Sequence, residues 1–187
     1  MIRKSAIQLA SALNAKLIEF PKIVTGLEQK DIDFLNVFLS WIKSCEEILA
    51  AHNISSVAEL AGLRGKIIAA KFSDNNSTTS AKKIQQKVAA ECLFDAQKIV
   101  LETLKPLEFK LNECRELLRQ LLLIIAQTNA VKYEDHLPFA AFLDNIWQFI
   151  ISNEQLKPGA VKLKTLLTAS DIQLLMAEEI NMEDFTS

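Results

Sequence analysis

Two histidines, His52 and His136, and three cysteines, Cys45, Cys92 and Cys114, are the residues of this chain best suited to nucleophilic, redox or metal chemistry, and their spacing supports none of it. A serine or cysteine nucleophile needs a base beside it, and no serine stands in a Gly-x-Ser-x-Gly elbow. Di-metal helical bundles use Glu-x-x-His pairs, which put a carboxylate and an imidazole on one helix face. Leu49 and Tyr133 occupy the positions where those glutamates would stand. The cysteines lie singly, with no CxxC pair and no zinc spacing, so free buried thiols in a reducing compartment are expected. His52 reads as the polar end of a helix, where the last carbonyls favour a cation, and His136 as a residue of a polar connector. No catalytic, cofactor-binding or metal-binding residue is expected, and no cofactor.

Phosphate chemistry has one sequence candidate. Gly62-Leu63-Arg64-Gly65, followed by Lys66, resembles the Gly-x-x-Gly loop of KH domains, which clamps a nucleic-acid backbone. That loop works only beside a three-stranded sheet, which this chain is not expected to form, so the match reads as coincidence. Helical ribonucleases of the higher-eukaryote-and-prokaryote nucleotide-binding type place an arginine shortly before a histidine. None lies within ten residues upstream of either histidine here.

The distribution of charge is more telling than the net −2. Residues 60 to 90 hold Arg64, Lys66, Lys71, Lys82, Lys83 and Lys87 against Asp74 alone, a local +5. From residue 168 onward Asp171, Glu178, Glu179, Glu183 and Asp184 stand without a basic residue, a local −5. The basic stretch 64–87 is the candidate surface for an anionic partner: nucleic-acid phosphate, a lipid surface or an acidic protein segment. Phe72 is its one aromatic residue, which speaks against single-strand binding by stacking. The acidic segment is expected either to rest on this stretch as a weak, salt-sensitive lid or to compete with its ligand. The plain alternative for both segments is a solvated helix face.

The elements that would position these residues follow from composition and period. Four glycines and four prolines in 187 residues are too few for a fold of many tight turns, while an apolar fraction of 50% with 24% charge is that of a globular core. An all-α bundle of about five to seven helices is expected, forming a single domain over 1–187. No apolar run approaches the roughly 20 residues of a membrane span. Arg3 and Lys4 before an apolar stretch only faintly imitate a signal peptide, so a soluble cytoplasmic protein is expected.

Along the chain, Leu9, Leu13, Leu17 and Phe20 mark a first helix that Pro21 is expected to stop. Capping boxes at Thr25/Glu28, Ser56/Glu59 and Ser170/Gln173 are expected to open later helices. The helix after Thr25 should end near His52, with Asn53 left-handed behind it. The polar run at 73–80 reads as a flexible loop. From Ala81 to about Gln127 the apolar residues Leu93, Val100, Leu104, Leu107, Leu111, Cys114, Leu118, Leu121 and Ile125 keep one phase, predicting a long helix kinked near Pro106. Another helix follows Pro138, Pro158 and Gly159 break the chain, and 181–187 is expected to fray.

These residues point to a non-enzymatic helical interaction or regulatory protein that binds a protein partner or self-associates. The alternative is a nucleic-acid or other polyanion binder through 64–87. An enzyme with dispersed carboxylates has no positive support.

Overall fold

A computed structural model of the chain describes residues 4–72, 80–134 and 136–186. Among the described residues there are seven α-helices and no strands: α1 Ala6–Glu28, α2 Phe34–Ala51, α3 Val57–Ala69, α4 Ala81–Gln127, α5 Phe139–Ser152, α6 Lys157–Leu166 and α7 Ala169–Glu179. Short 3-10 turns follow α3 at Ala70–Phe72 and α7 at Met182–Phe185. Of the loop expected at 73–80, all but Ser80 lies outside the described residues.

The helices divide into two compact units, and the division falls inside α4 rather than at the polar loop. The N-terminal unit is Gln8–Leu107; the C-terminal unit is the described part of Met1–Ile7 with Glu108–Ser187. In the N-terminal unit α2 packs on α3. Its core is aromatic: Phe20 lies 5.2 Å from Trp41 and 6.3 Å from Phe94, ring centre to ring centre, and Phe38 stacks between Phe34 and Trp41. Trp41 Nε1 donates to the carbonyl of Lys16 at 2.8 Å, which satisfies the one polar atom of a buried indole. In the C-terminal unit α5, α6 and α7 pack on one another. Phe142 is enclosed there by Tyr133 at 5.1 Å and Phe185 at 5.5 Å.

The long helix occupies its expected span with Pro106 in its interior. Of the seam residues, Leu93, Val100, Leu104, Leu111, Cys114, Leu118, Leu121 and Ile125 are buried, while Leu107 beside Pro106 is only half-buried, so the phase marks the core face except at the proline. Three helices end in the same way. After α1, α2 and α4 the residues Lys30, Asn53 and Asn129 take φ of 56°, 57° and 48°. In each case the left-handed residue bonds back three residues and its successor bonds back five, as Lys30 N to Leu27 O and Asp31 N to Gly26 O illustrate. That pairing satisfies two of the free carbonyls at a helix end.

Five sequence expectations need correction. Pro21 does not stop α1, which runs on to Glu28. Thr25 lies inside that helix, where its hydroxyl donates to the Pro21 carbonyl at 3.0 Å instead of capping a new one. Pro158 and Gly159 do not break the chain but form the first turn of α6, where the missing proline N–H has no helical partner to lose. Gly159 serves a close approach, since a Cβ there would stand 3.1 Å from both methyl carbons of Leu121. The box opening α7 is Thr168/Asp171, two residues before the expected Ser170/Gln173. Last, 181–186 is folded: Phe185 is buried and its carbonyl accepts from Tyr133 N at 2.9 Å.

The Ser56/Glu59 box is half realised. Ser56 does begin α3, but its side chain makes no cap hydrogen bond and pairs at 3.0 Å with the hydroxyl of Thr103.

Candidate functional site

The six basic residues of 64–87 all lie in the N-terminal unit, and the structure treats them unequally. Arg64 Nε donates to Glu46 Oε1 at 2.7 Å. Glu46 is one of two buried charged residues among those described, so Arg64 is the counter-ion of a nearly buried carboxylate. That hydrogen bond raises the pKa of the guanidinium further. Lys66, Lys71, Lys82, Lys83 and Lys87 are exposed, and among the described residues none of them forms an ion pair. The amide of Gln85, in the second turn of α4, donates to the carbonyls of Ile67 at 3.4 Å and Ile68 at 3.5 Å. This contact brings the C-terminal end of α3 against the N-terminal turns of α4, so lysines from both helices flank one tip. Lys71 Nζ sits 4.6 Å above the ring of Phe72.

The acidic segment has partners of its own. Glu178 and Glu179 face Arg115 of α4 at 3.3 and 3.5 Å, and Glu179 also accepts from Arg119 Nε. The lid expected over the basic stretch therefore has these two glutamates engaged elsewhere, within the C-terminal unit. Asp171 is buried as a structural group. One oxygen accepts from the Ser5 hydroxyl, and the other from Ala6 N at 3.0 Å and from Thr168 N at 3.4 Å. A single carboxylate thus caps the first turns of both α1 and α7.

Sequence reasoning passed over an open groove of about 580 Å³ between α1 and α2. Ile23, Val37 and Trp41 form its apolar floor, while Lys16, Glu19, Lys22 and Asp33 stand on the rims. A signal was present: Asn36, Ser40 and Ser44 recur every four residues on α2 beside Val37, a small polar stripe flanking the apolar face. A smaller hollow of about 330 Å³ lies where Ser56 and Glu59 of α3 meet Glu102, Thr103 and Pro106 of α4.

Catalytic chemistry gains no geometry. His52 Nδ1 bonds at 2.9 Å to the carbonyl of Ile48, and exposed His136 lies 3.3 Å from Glu134, its neighbour in the connector. All three cysteines are free and buried. Burial raises the thiol pKa of each, that of Cys45 up to about 12, so none presents a thiolate near neutral pH. Gly62 and Gly65 are turns of α3 rather than a loop, so no backbone amides are presented to a phosphate there. Among the described residues no group of three or more His, Cys, Asp and Glu could hold a metal ion, and no helix is long and apolar enough to cross a membrane.

The class defined by fold and geometry is an all-α protein of seven described helices. No known protein family, no curated protein and no solved structure matches this chain.

Proposed function

We propose that the protein is a non-enzymatic interaction module whose α1–α2 groove seats an amphipathic helix of a protein partner. The groove carries this reading. Its floor exposes Val37 to 49%, yet the same surface is shaped as a trough between two packed helices. Water against that floor is released when an apolar helix face covers it. Rims with charges of both signs suit a helix bearing acidic and basic flanks, rather than a polyanion. A photo-crosslinking residue at Ser40 is expected to capture a helical segment of one partner, and Val37→Asp is expected to abolish that capture while leaving the helical spectrum intact. Crosslinks to a second copy of the chain, matched by a dimer in sedimentation, would assign the groove to self-association. Undiminished capture by the Val37→Asp variant would sink the reading.

A second reading, binding of an anionic partner, is favoured by one observation: five exposed lysines without a carboxylate partner among the described residues. Its signature is steep salt dependence, which apolar docking lacks.

A further inference from the structure

The tip where α3 meets α4 combines two features that the anionic-partner reading leaves unused. Phe72 is 70% exposed and Ile68, one helical turn earlier, 37% exposed. Large apolar side chains in water beside a dense set of cations form the composition of a membrane-interface contact, in which the ring enters the headgroup layer and ammonium groups meet lipid phosphates.

We infer that this tip docks on an anionic lipid surface, with Phe72 and Ile68 entering the interface and Lys66, Lys71, Lys82, Lys83 and Lys87 set against the phosphates. The inference rests on the second reading and narrows it to one partner. Lysine stems can lie along the apolar layer while their charged ends reach the headgroups. The position of Lys71 over the Phe72 ring fits the same depth, since a cation and an aromatic face can share the interface. Nucleic acid is the poorer fit. Its phosphates and bases favour the planar guanidinium fork, and the one arginine of the stretch is held by Glu46. A lone exposed ring offers one stacking platform, which is little for a single strand.

The test is sedimentation of the full chain with phosphatidylcholine vesicles, with and without phosphatidylserine, at low and near-physiological salt. Binding is expected only to the phosphatidylserine vesicles and should weaken with salt. At roughly fivefold per basic residue, Lys82→Gln with Lys83→Gln should lower the partition about 25-fold. Phe72→Ser removes an exposed ring and leaves the core untouched, so its helical spectrum should stay unchanged. It should weaken vesicle binding and leave binding to heparin or duplex DNA as it was. Salt-sensitive binding to duplex DNA without vesicle binding would overturn the lipid inference and leave the second reading standing. Vesicle binding indifferent to Phe72→Ser would overturn the inserted tip. Binding to neither would remove both.

Discussion

Cys45 shows how completely burial decides the chemistry of a single group in this protein. Desolvation raises its pKa from 9.0 to about 12, with Lys16 pulling it down and Glu19 and Glu46 adding to the rise. The folded thiol therefore keeps its proton at pH values where the unfolded thiol has lost it. Its contribution to stability is fully present below about pH 9 and is lost as pH rises toward about 12. The rate of loss is up to about 1.4 kcal/mol per pH unit. Urea midpoints followed upward from pH 8 should fall more steeply for the natural chain than for Cys45→Ala. Parallel slopes would show that the thiol titrates alike in both states. Arg64 and Glu46 make the complementary case: a cation that sequence pattern offers to a ligand is drawn inward by a carboxylate 18 positions away in the chain.

At the scale of the element, what could be read in advance was whatever depends on period. The span of α4 and the burial of most of its seam follow from alternating three- and four-residue spacings, while the left-handed Asn53 after α2 follows from the tolerance of asparagine for that conformation at a helix end. Errors gathered at proline and at hydroxyl caps. A proline such as Pro21 costs a helix one hydrogen bond and a steric clash, and packing of Phe20 and Ile23 on the same face outweighs that. A hydroxyl such as Ser56 can satisfy another side chain as readily as a backbone amide, and no local pattern tells which. The lysine set was legible because charge needs no fold to be counted. The groove was not, because it exists only once α1 and α2 are side by side. Two element-scale results should follow. Gly62 and Gly65 sit within α3, and a Cβ at either would meet nothing within 4 Å. Each Gly→Ala change should therefore stabilise by about 1 kcal/mol, measured in urea. A loss would mean that the glycines serve some contact outside the fold. Leu118→Ala on the buried seam should cost about 2–5 kcal/mol, and a change under ~0.5 kcal/mol would place that face outside the core.

For the whole molecule, the proposal of a single cooperative domain has a convenient probe, because each unit holds one tryptophan: Trp41 in the N-terminal unit and Trp147 in the C-terminal. Helix α4 belongs to both units without interruption. Single-tryptophan variants, Trp41→Phe and Trp147→Phe, should give coincident fluorescence and circular-dichroism transitions within each variant. Transitions that separate would assign the units as independent domains. The Asp171 clasp has a consequence for how the protein is made. Ser5 and Ala6 leave the ribosome before Asp171, whose carboxylate caps them and stands 165 positions later than Ala6. At 5–20 residues per second the first turn of α1 waits roughly 8–33 s for its partner. During that time α1 is uncapped and the C-terminal unit is incomplete. Nascent chains stalled just short of Asp171 should leave the amides of Ala6 and its neighbours open to hydrogen exchange, and chains extended far enough to clear the tunnel should close them. Equal protection in both would show that α1 begins without waiting for the clasp.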